Sequence, residues 1–209
     1  EGISPQTTQK LGWSPWRHRL LLGRGMLSDD TEHTAAVTRA LLEHPRDPDA
    51  FQRSLAWKLR WWMLALPAGV GLATARAIIK LLVGFSPARS GVFSAGNGPA
   101  MRCAIIGAYF HDQPERMVEY VRRATLLTHT DPKALCGALA VGLAAARATR
   151  GEVDGPRFLE EARQLEGASE EWRRSLDRVE ESLARGVTVP ELAAEMGLHK
   201  GVNGYVNHT

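Results

Sequence analysis

The sequence predicts an all-α protein, and three observations carry that prediction. Apolar residues recur at helical spacing from Ser28 onward. Cap-plus-proline pairs, Asp47-Pro48 and Asp131-Pro132, mark helix starts. Val, Ile and Thr never alternate with polar residues long enough to describe a strand. With 209 residues and no internal period, the chain reads as one bundle-like domain over residues 1–209.

The elements follow in order. Residues 1–27 show no periodicity and read as an irregular entry segment. Ser28 is placed to cap a first helix that carries Ala36, Val37, Ala40 and Leu41 on one face. "HPRDPD" ends it, and Asp47-Pro48 opens a second helix with Phe51, Leu55, Leu59 and Met63. A third is expected from Ala68 to Val83, followed by a Gly-, Ser- and Pro-rich loop from Gly84 to Gly98. Pro99 restarts a helix to about Tyr109, and Pro114 starts another to about Leu127. Asp131-Pro132 introduces "KALCGALAVGLAAARA", whose small residues on several faces predict close packing on most sides. "RGEVDGP" reads as a linker. Charged helices near Arg157–Glu166 and Ser169–Arg185 and a short one near Pro190–Met196 complete the chain.

The apolar fraction, 44%, suits a folded core. A formal charge of +3 is too small to argue for a nucleic-acid or membrane partner by itself. The most apolar run, "WWMLALPAGVGLA", is broken by Pro67 and flanked by Lys58, Arg60 and Arg76, which argues against a membrane span. Cys103 and Cys136 lie in apolar helical patterns and read as buried free thiols of a reducing, cytoplasmic setting.

Three stretches carry candidate chemistry. "SDDTEHT" sets Ser28, Asp29 and Asp30 at a helix start. Acids there complement the helix dipole, yet adjacent carboxylates repel each other. A hydroxyl and two carboxylates also form a hard-oxygen donor set suited to Mg²⁺ or Mn²⁺. "SAGNGPAMR" puts Gly96 and Gly98 either side of Asn97 before a helix. That pattern serves either as a turn with an Asn cap or as a close backbone approach to an anion. Arg102, one turn in, is expected to contact a phosphate or a surface carboxylate. "THTDP" leaves His129 at a helix junction, either structural or against a ligand.

In this order on an all-α chain, "GMLSDDTEHT", "SAGNGPAMR" and "THTDPKA" resemble the ADP-ribosylglycohydrolase family, with "EG" at the start and "GYVNHT" late in the chain as further similar segments. The resemblance implies an orthogonal helical bundle with two magnesium ions in a cleft. The implied reaction cleaves ADP-ribose from an ADP-ribosylated protein or small molecule. It implies Ser28, Asp29 and Asp30 as metal ligands, with Ser28 where many members carry threonine. Asp30 and Glu1 are the implied catalytic carboxylates, Glu1 falling where the family has a mobile glutamate. Gly96, Asn97 and Gly98 would line the ADP-ribose site, with His129 nearby; Ser94 stands where arginine-directed members carry aspartate. The family's N-terminal "GDALG"-like start and C-terminal acidic "GGDTDT" cluster have no counterpart in the chain.

Two other readings stay open. A homologue of this kind can bind ADP-ribose without hydrolysing it. "VTVPELAAEMGLHKGVNGYV" also fits a helix–turn–helix, although its reading helix would hold Gly201 and Gly204 and only Lys200 for phosphate contact.

Overall fold

A computed structural model of the chain describes residues 28–65, 67, 70–198 and 204–208. Among these residues there are nine α-helices and no strand, so the predicted all-α class holds. The helices are α1 (Asp29–Glu43), α2 (Pro48–Leu64), α3 (Leu72–Leu82), α4 (Ala100–Tyr109), α5 (Pro114–Leu126), α6 (Pro132–Thr149), α7 (Gly155–Arg163), α8 (Glu170–Ala184) and α9 (Val189–Glu195). Short 3₁₀ turns occupy Pro87–Arg89 and Val206–His208.

Local chemistry sets most of these boundaries. The Asp47 carboxylate accepts hydrogen bonds from the amides of Asp49 at 3.0 Å and Ala50 at 2.9 Å, with Pro48 in the first turn. Asp131 caps α6 in the same way through the Lys133 amide at 2.9 Å. The third helix starts later than expected. Val70 lies outside it and Gly71 is its extended cap residue. The charged helix expected near Arg157–Glu166 starts two residues earlier, because Asp154 caps it through the Arg157 amide at 3.1 Å, and it ends at Arg163.

The core is built on α6. Residues Ala134 to Ala140 are all buried, which requires neighbours on every face. Its closest partner is α4, and glycine makes that approach possible. A Cβ built on Gly107 would lie 2.0 Å from the Gly142 carbonyl oxygen, so the two backbones touch where they cross. Around this crossing pack Val37 and Leu41 of α1, Phe51, Leu55 and Leu59 of α2, and Tyr120 and Val121 of α5. Each large side chain of this kind contributes roughly 1.5–3 kcal/mol on burial. Cys103 and Cys136 are buried free thiols, as predicted, and burial pushes each up to about 12. Neither is therefore a thiolate at neutral pH.

An outer layer leans on this core. α7 and α8 share a small cluster of Leu159, Ala162 and Leu176, flanked by Phe158 and Trp172. Among the described residues no helix is long and apolar enough to cross a membrane.

Candidate active site

The loop before α4 is held from both sides, and this brings distant motifs together. On one side Val92 pairs with the junction after α5. Its amide donates to the Thr128 carbonyl at 3.1 Å, and the Thr130 amide donates to the Val92 carbonyl at 2.9 Å. On the other side the Asn97 amide donates to the Gly204 carbonyl at 2.9 Å, and the Val206 amide donates to the Ala95 carbonyl at 3.0 Å. Val206 is seated on α6 at Gly137, where a Cβ would meet its methyl group at 2.1 Å. Tyr205 ties the same segment to two helices, accepting from Lys133 Nζ at 3.0 Å and donating to Glu171 at 2.8 Å. Gly204 takes φ +72 and Val206–His208 forms a 3₁₀ turn, so the described part of the predicted reading helix is not an α-helix. Lys200 lies outside the described residues.

These contacts frame a cleft with two lobes that meet at Asp29, Asn97, Met101 and Gly204. The larger lobe, about 880 Å³, is lined by Asp29 and Asp30 together with Phe158, Trp172, Leu176 and Val179. The smaller, about 520 Å³, is bordered by Thr74, Ser94, Gly96, Gly98 and His129. Together they offer carboxylates, a polar glycine loop and an apolar wall, the mixture expected of a small-molecule site.

Asp29 and Asp30 stand in the first turn of α1. Burial raises the Asp29 carboxyl above its usual value, and the neighbouring Asp30 charge raises it further. Ser28 has the extended backbone of a cap residue, but its side chain makes no capping bond, against expectation. Its hydroxyl and the two carboxylates therefore remain hard-oxygen donors in a single turn, and that chemistry suits a divalent cation of the Mg²⁺ type. Among the described residues no group of three or more His, Cys, Asp or Glu side chains is arranged to hold a metal, so these donors come from one side only.

The glycine loop departs from its simplest reading. Neither Gly96 nor Gly98 has positive φ. A Cβ on Gly96 would stand 3.0 Å from His129 Nε2, and one on Gly98 would stand 3.1 Å from His129 Cε1, so the His129 ring borders the space those atoms would fill. The absent side chains accommodate an internal histidine as well as leaving backbone open to the cleft. Ser94 Oγ accepts from the Gly96 amide at 3.3 Å and steadies the turn.

Arg102 is the clearest correction. It reaches neither a phosphate-facing surface nor a carboxylate, because it is 0% exposed inside the bundle. Its Nη2 donates to the Ala124 carbonyl at 2.8 Å and to Thr128 Oγ1 at 2.6 Å, while Nη1 lies 3.3 Å from His33 Nδ1. Thr128 Oγ1 is in turn 2.9 Å from His129 Nδ1. Burial, reinforced by the Arg102 charge, lowers His33 and His129 each to about 3. Both are neutral at physiological pH.

The structure thus gathers Ser94, Gly96, Asn97, Gly98, His129, Asp29 and Asp30 around one cleft, with Ser28 adjoining at the start of α1. Glu1 lies outside the described residues. Sequence reasoning missed Thr74, Phe158 and Trp172. The last two carried a signal, as single aromatic residues on strongly charged helices. An uncharacterized protein of Archaeoglobus fulgidus is 34% identical over 126 residues, which is 60% of this chain and 40% of that protein. A solved structure titled "ADP-ribosylglycohydrolase-related protein complex" superposes with a TM-score of 0.62 at 25% identity, covering 100% of this chain and 75% of the other. The sequence profile of ADP-ribosylglycohydrolase matches residues 1–209. With its motifs converging on one cleft and the family profile spanning its whole length, the chain belongs to the ADP-ribosylglycohydrolase family.

Proposed function

We propose that this cleft binds ADP-ribose and serves a Mg²⁺-dependent glycohydrolase that cleaves the bond between ADP-ribose and its acceptor. Family membership supports a glycohydrolase-type function acting on ADP-ribosylated substrates. The observation that carries the finer reading is the convergence of Asp29, the Ser94–Gly98 loop and His129 on one two-lobed space.

In this reading Ser28, Asp29 and Asp30 would hold the cation. When bound, such an ion orients ribose hydroxyls and lowers the pKa of a coordinated water. Cleavage at the anomeric carbon builds positive charge on the ribose ring, and carboxylates on the adjoining wall favour that charge. Asp30 is assigned to orient the attacking water and accept its proton. Ser94, Gly96, Asn97, Gly98 and His129 contact the nucleotide side. The apolar wall of Phe158 and Trp172 shields the larger lobe from water and offers a surface for a planar base or an acceptor side chain. A cytoplasmic setting is in keeping with the buried thiols.

The test is release of ADP-ribose from an ADP-ribosylated peptide in the presence of Mg²⁺, with ADP-ribose affinity measured alongside by calorimetry. Asp29→Asn with Asp30→Asn should remove Mg²⁺-dependent release, cut Mg²⁺ affinity at least tenfold and leave helicity intact. Unchanged metal affinity in that variant would reduce the pair to a helix-start feature. A second reading, ADP-ribose binding without hydrolysis, rests on the described hard-oxygen donors Ser28, Asp29 and Asp30 all lying in one helix turn. It predicts binding with no release at any Mg²⁺ concentration.

A further inference from the structure

Arg102 is wholly buried in α4, and among the described residues no acidic side chain pairs with it. An unpaired buried charge is costly, so its surroundings need an account. A guanidinium only donates hydrogen bonds. His33 Nδ1, 3.3 Å from Nη1, must therefore accept, which puts the His33 ring proton on Nε2. That nitrogen is buried with no hydrogen-bond partner among the described residues, in a ring that packs edge-on with Trp62 at 4.3 Å between centroids.

The same reasoning passes through Thr128. Its Oγ1 accepts from Arg102 at 2.6 Å and has a single proton of its own to give. Thr128 is 0% exposed, and His129 Nδ1 lies 2.9 Å from that oxygen. If Nδ1 carried the ring proton, the threonine proton would be left buried and unpaired. With Thr128 as donor, Nδ1 accepts and the ring proton sits on Nε2. That edge of the ring faces the Gly96 turn, 3.0 Å from where a Cβ would stand, and His129 borders the smaller lobe. No described residue is seen to pair with Nε2.

We propose that Arg102 is a positioning residue: by donating to Thr128 it fixes His129 as the Nε2–H tautomer, and so gives the smaller lobe a hydrogen-bond donor aimed at an acceptor oxygen of the ligand. A phosphate oxygen or a ribose hydroxyl meets that description. A cation or an amide N–H does not. Naming ADP-ribose as that ligand rests on the function proposed above, whereas the tautomer does not.

The test uses the 209-residue chain labelled with ¹⁵N-histidine. Long-range ¹H–¹⁵N spectra distinguish a protonated ring nitrogen from a bare one. Free protein should show His33 and His129 protonated at Nε2 only. Thr128→Val, close in shape but lacking the hydroxyl, should convert His129 to a mixture of tautomers and weaken ADP-ribose binding about tenfold. Thr128→Ser should restore both. A His129 proton on Nδ1 in the unaltered protein, or an unchanged tautomer in Thr128→Val, overturns the proposal. Failure of ADP-ribose to bind a chain that does show the Nε2–H tautomer counts against the ADP-ribose reading and leaves the role of Arg102 supported.

Discussion

Arg102 and Arg163 show two ways in which this molecule holds charge. Arg102 is fully enclosed between α1, α4 and α5; its two Nη groups meet a carbonyl, a threonine hydroxyl and a histidine nitrogen, while its Nε has no partner among the described residues. Arg163 lies on the outer layer and pairs with Asp177 at 2.8 Å and Glu180 at 2.6 Å, both more than half exposed. The outer pair resembles the other ion pairs of α7 to α9, such as Arg185–Glu195. Water screens those charges, and their geometry can relax. The inner arginine cannot move without disturbing Thr128, His33 and, through Thr128, the His129 wall of the cleft. Polar groups are rigid where the site needs direction, and pliable where the protein only needs solubility.

This contrast can be broken at the core first. Gly107→Val should unfold the protein or cost more than about 4 kcal/mol, because the crossing of α4 and α6 has no room for a side chain. Circular dichroism against urea reads this directly. A loss below about 1 kcal/mol would mean that the helices can separate, and that the scaffold of the cleft is softer than described.

Acid should separate the two regions next. His33 and His129 are held near 3, below their ordinary 6.5, so the unfolded chain binds protons that the folded chain refuses. Their contribution is complete above pH 6.5 and is lost as pH falls from 6.5 toward 3. Between pH 7 and 5 each should remove about 2 kcal/mol of unfolding free energy. The carboxylates of Glu152, hydrogen-bonded by Arg150, and of Glu191, hydrogen-bonded by Thr188, are lowered from 4.5, so their losses begin only below that value. Urea titrations should therefore show a decline between pH 6.5 and 5 that His33→Asn makes shallower. A flat profile there would contradict the buried neutral histidines.

The smallest effect belongs to the surface. Arg163→Ala should cost less than about 1 kcal/mol, and less still at high salt. A cost above 2 kcal/mol would show that the outer layer depends on its ion pairs, and that the contrast with Arg102 is overdrawn.

The sequence revealed local features well and tertiary ones poorly. Asp47-Pro48 and Asp131-Pro132 were legible because a cap and its helix are adjacent in the chain. The start of α3 was not, since Gly71 interrupts an apolar run whose composition alone reads as helix. The candidate site was legible as three motifs in order, but not as contacts. Val92 meets His129 across 37 residues, and Gly96 meets Tyr205 across more than a hundred. Arg102 was read as a surface cation because its partners are a carbonyl and neutral side chains, which leave no charge pattern in the sequence. The two glycines suggested space for a ligand. That they also border His129 could be seen only once the loop was folded against the junction after α5.

The central claim is that the two-lobed cleft is the ADP-ribose site, and amide chemical shifts test it most directly. ADP-ribose titrated into the ¹⁵N-labelled chain with Mg²⁺ should move the amides of Asp29, Asp30, Gly96, Asn97, Gly98, His129 and Gly204 together, with one affinity. Those of α9 and of the exposed face of α8 should stay in place. Shifts confined to the outer helices, or none at millimolar ADP-ribose, would contradict the account.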